Sequence, residues 1–239
     1  MLYLQAAKCH NINLVSPTHV VPYILDALEL AASRGLDIPL VYNSGGYDSL
    51  ETLRLLDGII DIYMPDMKYS DKKTARELSG VKDYPRINRT AVKEMHRQVG
   101  DLQIDEDGIA RHGLLVRHLV LPHRLAGTGE IVRFLAREIS PHTYLNIMAQ
   151  YRPCHLAFGI PLLLRPLNRD EFNEAINLAH HYGMDRLDRE NYSIPVISRP
   201  VNKEQLDEAK NQAHRHGLDR LHRHRFGPLI RLIRRQGDE

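Results

Sequence analysis

Apolar residues along this chain come in short blocks, each closed by a polar cluster. His10–Val15, Ile38–Tyr42, Ile59–Met64, Leu114–Leu121 and Thr143–Met148 read as five short strands. Between them the apolar spacing lengthens toward the helical period. It predicts helices from Pro17 to Arg34, from Asp48 to about Leu56, over Asp71–Ser79, over Asn88–Val99 and over Gly127–Glu138. Start and stop signals support these spans: Ser16-Pro17-Thr18 before the first, Gly35 after it, and Asp48-Ser49-Leu50-Glu51 as a capping box. Met1–Lys8 reads as the last turns of a helix. Asp101–His112 alternates around Asp105-Glu106-Asp107-Gly108 and reads as a β-hairpin. Strands alternating with helices imply parallel βα units.

In a parallel array every strand ends on the same side. The polar clusters Ser16/Thr18/His19, Asn43/Ser44, Asp66/Lys68, His123 and Gln150/Tyr151/Arg152 each follow a strand, so they are expected to share one mouth. Residues after a strand also cap the next helix, which accounts for some of this polarity. From Gly159 the pattern changes. Segments 161–189 and 195–223 are an internal repeat offset by 34 residues, with 14 of 29 positions identical. Each copy has a Pro-rich entry, an Asn cap (Asn168, Asn202) and a helix ending at Gly183 or Gly217. Two copies are too few for a free-standing solenoid. The expected division is therefore an α/β domain at 1–158 and a duplicated helical appendage at 159–239.

Composition narrows the class. Hydrophobic residues make up 43% of 239, enough for a core, and the formal charge of +2 gives no global pull toward nucleic acid. The sequence shows no signal peptide and no membrane-length apolar run. Two distant cysteines, Cys9 and Cys154, suit a reducing cytoplasm and read as small buried hydrophobes. The chain has fourteen histidines. His180/His181 and His214/His216/His222/His224 lack metal-site spacing, because i, i+2 residues on a helix point apart. Residues 215–235 carry seven arginines and one acid. Such a tail can bind RNA, an anionic membrane or an acidic partner. A solvated or frayed terminus is the favoured reading, and no aromatic platform supports RNA recognition.

In order along residues 10–155, the stretches HNINLVSPTH, PLVYNSGGYDS, IYMPDMKY, LLVRHLVLP and NIMAQYRPCH resemble the radical S-adenosylmethionine (SAM) family related to pyruvate formate-lyase activating enzymes. The resemblance covers about two-thirds of the chain. It implies a partial TIM-like (β/α) barrel of about five parallel strands here, lacking the first strand, plus the helical appendage. It also implies SAM and a [4Fe–4S] cluster as cofactors of the intact family. There, reductive cleavage of SAM gives a radical that abstracts a hydrogen atom. Three clustered cysteines hold that cluster. This chain has no CxxxCxxC, so the expectation is that the segment carrying it would lie upstream of Met1 and that the chain alone is inactive.

The resemblance places Ser16, Pro17 and Thr18 at the SAM amino group, without the glycine-glycine-glutamate form of many superfamily members. It places Asn43 and Ser44 where activating enzymes tend to have Asp-Thr. Asp66 would bind ribose hydroxyls and Lys68 a ligand carboxylate. Gln150 and Tyr151 would stand on the adenosine side, and His19 would line the site. Arg117 lies inside an apolar strand and needs a partner. The candidates are the SAM carboxylate and Asp66. An N-terminal fragment with the cysteine motif, or a glycyl-radical enzyme, would be the partner. Alternative functions are a non-catalytic nucleotide- or SAM-binding module and a protein-interaction module. Without a first strand, Asn11–Val15 would be an open parallel edge prone to association.

Overall fold

The computed structural model describes residues 1–188. The second repeat copy, the basic tail and His214, His216, His222 and His224 lie outside them. Six strands form the sheet: β1 (Ile12–Val15), β2 (Leu40–Ser44), β3 (Ile62–Pro65), β4 (Gln103–Ile104), β5 (Ala110–Leu119) and β6 (Tyr144–Met148). Strands β1-β2-β3-β5-β6 run parallel in that order, and β4 pairs antiparallel with the start of β5 as the predicted hairpin. The helices are α1 (Leu2–Ala6), α2 (Val21–Ala32), α3 (Leu50–Leu55), α4 (Lys72–Ser79), α5 (Tyr84–Val99), α6 (Thr128–Phe134) and α7 (Arg169–His181). The fold is therefore α/β with a mostly parallel sheet. Among the described residues no helix is long and apolar enough to cross a membrane.

Period-two alternation divides the strands between two faces. Tyr42, Tyr63, Leu114, Val116, Leu145 and Ile147 join one large cluster with Leu28, Leu53, Met95, Ile131 and Leu135 from the helices. The opposite face holds a smaller cluster of Val41, Ile62 and Leu102. On that face the strand ends turn polar. At the margin of the sheet, β1 pairs only with β2 among the described residues, and Val15 is 68% exposed.

Several boundaries differ from the sequence pattern for local reasons. β2 begins at Leu40 rather than Ile38, because Pro39 has no N–H to give and its carbonyl instead accepts Ile12 N–H. Ile59 and Ile60 belong to the turn closing α3, where both N–H groups bond to Leu56 O. The run after β1 breaks in two: Pro17–His19 is a 3₁₀ turn, and α2 starts afresh at Val21 with Pro22 in its first turn. Ser49, not Asp48, caps α3 by accepting Thr52 N–H. The Asn168 cap is present as a capping box with Glu171. Phe172, Ala175 and Ile176 of α7 enter the same large cluster as Leu145, so α7 packs on the same core as the sheet.

One buried histidine pins this framework. His118 on β5 is fully buried, with Nδ1 2.7 Å from Met67 O and Nε2 2.9 Å from Thr128 Oγ1. With Nδ1 protonated, the ring ties the loop after β3 to the start of α6. Burial lowers its pKa to about 4 from the ordinary 6.5. Between those values the unfolded chain binds a proton that the folded chain refuses. Stability is thus highest above pH ~6.5 and falls by about 3 kcal/mol on acidification to pH ~4. Urea midpoints across this range should show that slope, and His118→Gln should flatten it by one proton.

Candidate functional site

The C-terminal ends of β1, β2, β3 and β5 carry two polar clusters on opposite sides of the sheet. On the helix-covered side the centre is Asp48, 2% exposed. Its Oδ1 accepts from Thr18 Oγ1 (2.7 Å) and Tyr42 OH (3.0 Å), and its Oδ2 from Ser44 Oγ (2.6 Å). Burial and the nearby carboxylate push the Tyr42 hydroxyl far above its ordinary pKa, which keeps it a donor. Gly46 N–H in turn donates to Ser44 Oγ. Asp48 therefore ties the loop after β2 to the turn after β1.

On the other side stand Asn43, Asp66, Lys68 and Arg117. Arg117 Nη2 donates to Asn43 Oδ1 at 2.8 Å and lies 2.7 Å from Asp66 Oδ1. Lys68 Nζ reaches Asp66 Oδ2 at 2.5 Å. Asp66 and Arg117 are opposite each other across β3 and β5, and Met67 N–H donates to Arg117 O. The side chains of Asp66 and Arg117 are 16% and 27% exposed, and that of Lys68 44%. Asp66 Oδ1 meets the guanidinium as an ion pair but not along a hydrogen-bond direction, and Arg117 Nε is buried without an acceptor. The pairing of Arg117 with Asp66 was one of the two candidates in the sequence.

Helix α5 locks the loops beneath this cluster. Asn88 Nδ2 donates to Gly46 O and Asp66 O, both at 2.9 Å. Tyr84 OH lies 2.9 Å from Gly45 O and from Asp66 O, and accepts Lys68 N–H at 3.1 Å. Gly46 has φ +72, and a Cβ there would stand 2.2 Å from both Asn88 Nδ2 and Asp66 O. Only glycine fits so close an approach. Asp48, Tyr84 and Asn88 escaped the sequence reading. Their signal was a polar residue on an otherwise apolar helix face for Asn88, and an acid ahead of a serine that already caps α3 for Asp48.

The remaining candidates lie at the periphery. Ser16 is exposed with a left-handed φ of +53, and its N–H continues the β1–β2 ladder to Asn43 O. His19 is exposed on the following turn and enters neither cluster. Gln150 is exposed, its amide 3.5 Å from Met148 Sδ. Tyr151 OH donates to Leu163 O. Tyr151 and Lys68 both line a cavity of about 410 Å³ whose walls include Tyr69, Leu119, Leu121 and Leu163. Cys9 is half-buried and Cys154 exposed on that cavity, so neither is the buried hydrophobe expected. Among the described residues no three His, Cys, Asp or Glu side chains converge as a metal site.

No protein-family profile matches the sequence. An uncharacterised protein of Methanocaldococcus jannaschii is 32% identical over 178 residues, 73% of this chain and 47% of that protein. The chain thus spans about half the length of the curated relative it matches. Among solved structures, a domain of a pyruvate-formate lyase-activating enzyme from Bacteroides vulgatus is similar at a TM-score of 0.50 and 12% identity. That likeness covers 74% of this chain and 96% of the domain. At this identity it establishes a shared fold.

Truncating Asp48 would strand the buried Tyr42 and Ser44 hydroxyls. Asp48→Ala should cost about 3 kcal/mol of unfolding free energy, read from urea denaturation, since each buried unsatisfied donor costs about 1–3 kcal/mol.

Proposed function

We propose that this chain is a radical SAM activating-enzyme-like protein whose sheet is that family's partial (β/α) barrel, and that the ends of β2, β3 and β5 bind an adenosyl ligand. The supporting observation is the buried Arg117 Nε without an acceptor, beside Asp66 at the end of a parallel strand. The same guanidinium is on a side chain 27% exposed and keeps further donors that Asn43 and Asp66, both met by Nη2, do not use, and these can meet a ligand carboxylate. Asp66 would accept from ribose hydroxyls, Lys68 would meet the same carboxylate, and Asn43 would hold the guanidinium plane. Tyr84 and Asn88 fix the backbone of Asp66, so the carboxylate keeps its position when a ligand arrives. The ordered sequence motifs and the shared fold of the activating-enzyme domain support the same reading.

The residues fit SAM but not the iron–sulfur cluster. A [4Fe–4S] cluster requires clustered thiolates, and Cys9 and Cys154 are the chain's two cysteines. A cluster would supply the electron for reductive cleavage of SAM, but its thiolate ligands would have to come from outside these 239 residues. The activity proposed for the chain itself is therefore ligand binding. Its own residues would orient the amino-acid and ribose portions of the ligand.

Calorimetry with SAM and S-adenosylhomocysteine tests this. Both ligands should bind, and Arg117→Ala should weaken them about 10- to 100-fold, the equivalent of about 1.4–2.8 kcal/mol. Asp66→Asn should weaken adenosine binding as well. No heat at ligand concentrations up to ~1 mM would refute the reading.

A further inference from the structure

A second concentration of charge lies away from the strand ends, on the helical layer. A cavity of about 660 Å³ opens between the start of α4, the first half of α5 and the end of the α6 segment. Five of its lining residues are cationic: Lys72, Lys73, Arg86, Arg89 and Lys93. The two carboxylates in the lining, Asp71 and Glu138, are both occupied. Asp71 caps α4 by accepting Lys73 and Thr74 N–H, at 2.8 and 3.0 Å. Glu138 pairs with Lys93 at 2.7 Å. Five cations against two carboxylates leave a local excess of three charges, more than the +2 of the whole chain.

Apart from Lys93, which pairs with Glu138, those cations have no carboxylate partner closer than 3.5 Å. Arg89 and Lys93 lie over the Phe134 ring, 5.2 and 5.7 Å from its centroid. The guanidinium of Arg86 has one loose partner, Asp83 at 3.5 Å. Lys72, Lys73 and Arg89 make no ion pair among the described residues. Lys72 and Lys73 also occupy the first turn of α4, and Arg86 that of α5, with no acidic residue in either first turn. Each opposes the positive end of its helix, at a cost of about 0.3–1 kcal/mol. The groove thus retains repulsion that a bound polyanion would remove.

We propose that this groove binds a small ligand carrying two or more linked phosphates. Its volume suits a small molecule, and cations on several walls match a multiply charged group better than a single carboxylate. Arginine forks match phosphate geometry. The Phe134 face is already covered by Arg89 and Lys93, which leaves no stacking platform for a nucleic-acid base. These residues are separate from the strand-end cluster, so the inference stands independently of the adenosyl site.

Titration of the full chain with inorganic tripolyphosphate at ~150 mM salt is the test, since this probe has no nucleoside and the salt screens weak surface attraction. It should bind at least about tenfold more tightly than orthophosphate. Lys72→Glu/Lys73→Glu should weaken it at least about tenfold. This pair also improves the charge of the first turn of α4, so the variant should fold. Arg89→Gln should weaken binding in the same direction. Affinity unchanged in both variants would assign binding to the arginine-rich tail and overturn the proposal. Equal affinity for orthophosphate, or tighter groove-dependent binding of a single-stranded oligoribonucleotide, would also overturn it.

Discussion

Asp66 is the residue on which the strand-end architecture depends. Its N–H donates to Ser44 O, its carbonyl accepts from Asn88, and its carboxylate holds Arg117 and Lys68. Three elements are tied through one residue: β2 through Ser44, β5 through Arg117 and α5 through Asn88. A charged pair half-shielded from water survives only with close geometry and further hydrogen bonds. The backbone bonds supply the first requirement, and Asn43 and Lys68 supply the second. The cluster leaves two buried atoms without a hydrogen bond, Arg117 Nε and Asp66 Oδ1, and that incompleteness distinguishes it from a closed structural network.

The loops after β2 and β3 are short and polar, and they would be mobile if left to themselves. Tyr84 and Asn88 prevent this from below. They lie one helical turn apart on α5, so one face of one helix reaches both loops. Gly46 makes the approach possible by leaving space where any side chain would collide. Asp48 performs the corresponding task on the other side of the sheet, between the turn after β1 and the loop after β2. Because adjacent strand residues face opposite ways, Asn43 and Ser44 serve the two clusters separately.

The alternation of apolar strands and periodic helices made the parallel α/β sheet legible, since burial on both sides leaves the same mark in any sequence. Asp66, Lys68, Asn43 and Arg117 were legible because each interrupts or ends an apolar run. Strand limits were less so: at Ile59-Ile60 apolar residues close a helix, and periodicity alone does not separate that role from a strand. Tyr84 and Asn88 were hidden because their partners are backbone atoms about twenty and forty residues away. Asn88 stands out only as a polar residue on an apolar helix face, which does not say which carbonyl it meets. Asp48 was misread for the opposite reason. Its neighbourhood contained a valid capping signal, and Ser49 claimed it. The periphery, His19 and Gln150, followed strands as expected, but following a strand fixes a residue's side of the fold and not its neighbours.

A formal charge of +2 hides an uneven distribution. The strand-end cluster sets Asp66 between Arg117 and Lys68, so its charges largely satisfy one another, and the binding proposed there would exchange one set of hydrogen bonds for another. Such a site would favour a ligand that itself carries both signs, and would owe more to geometry than to salt concentration. The groove on the helical layer is the reverse: its cations outnumber its acids, its walls are open to water, and the attraction proposed there would fall with ionic strength. Two sites with such different electrostatics, if both bind as proposed, would select different chemistry, one by fit and the other by field. Salt dependence therefore separates them physically even where a single ligand, such as a nucleoside triphosphate, could enter both.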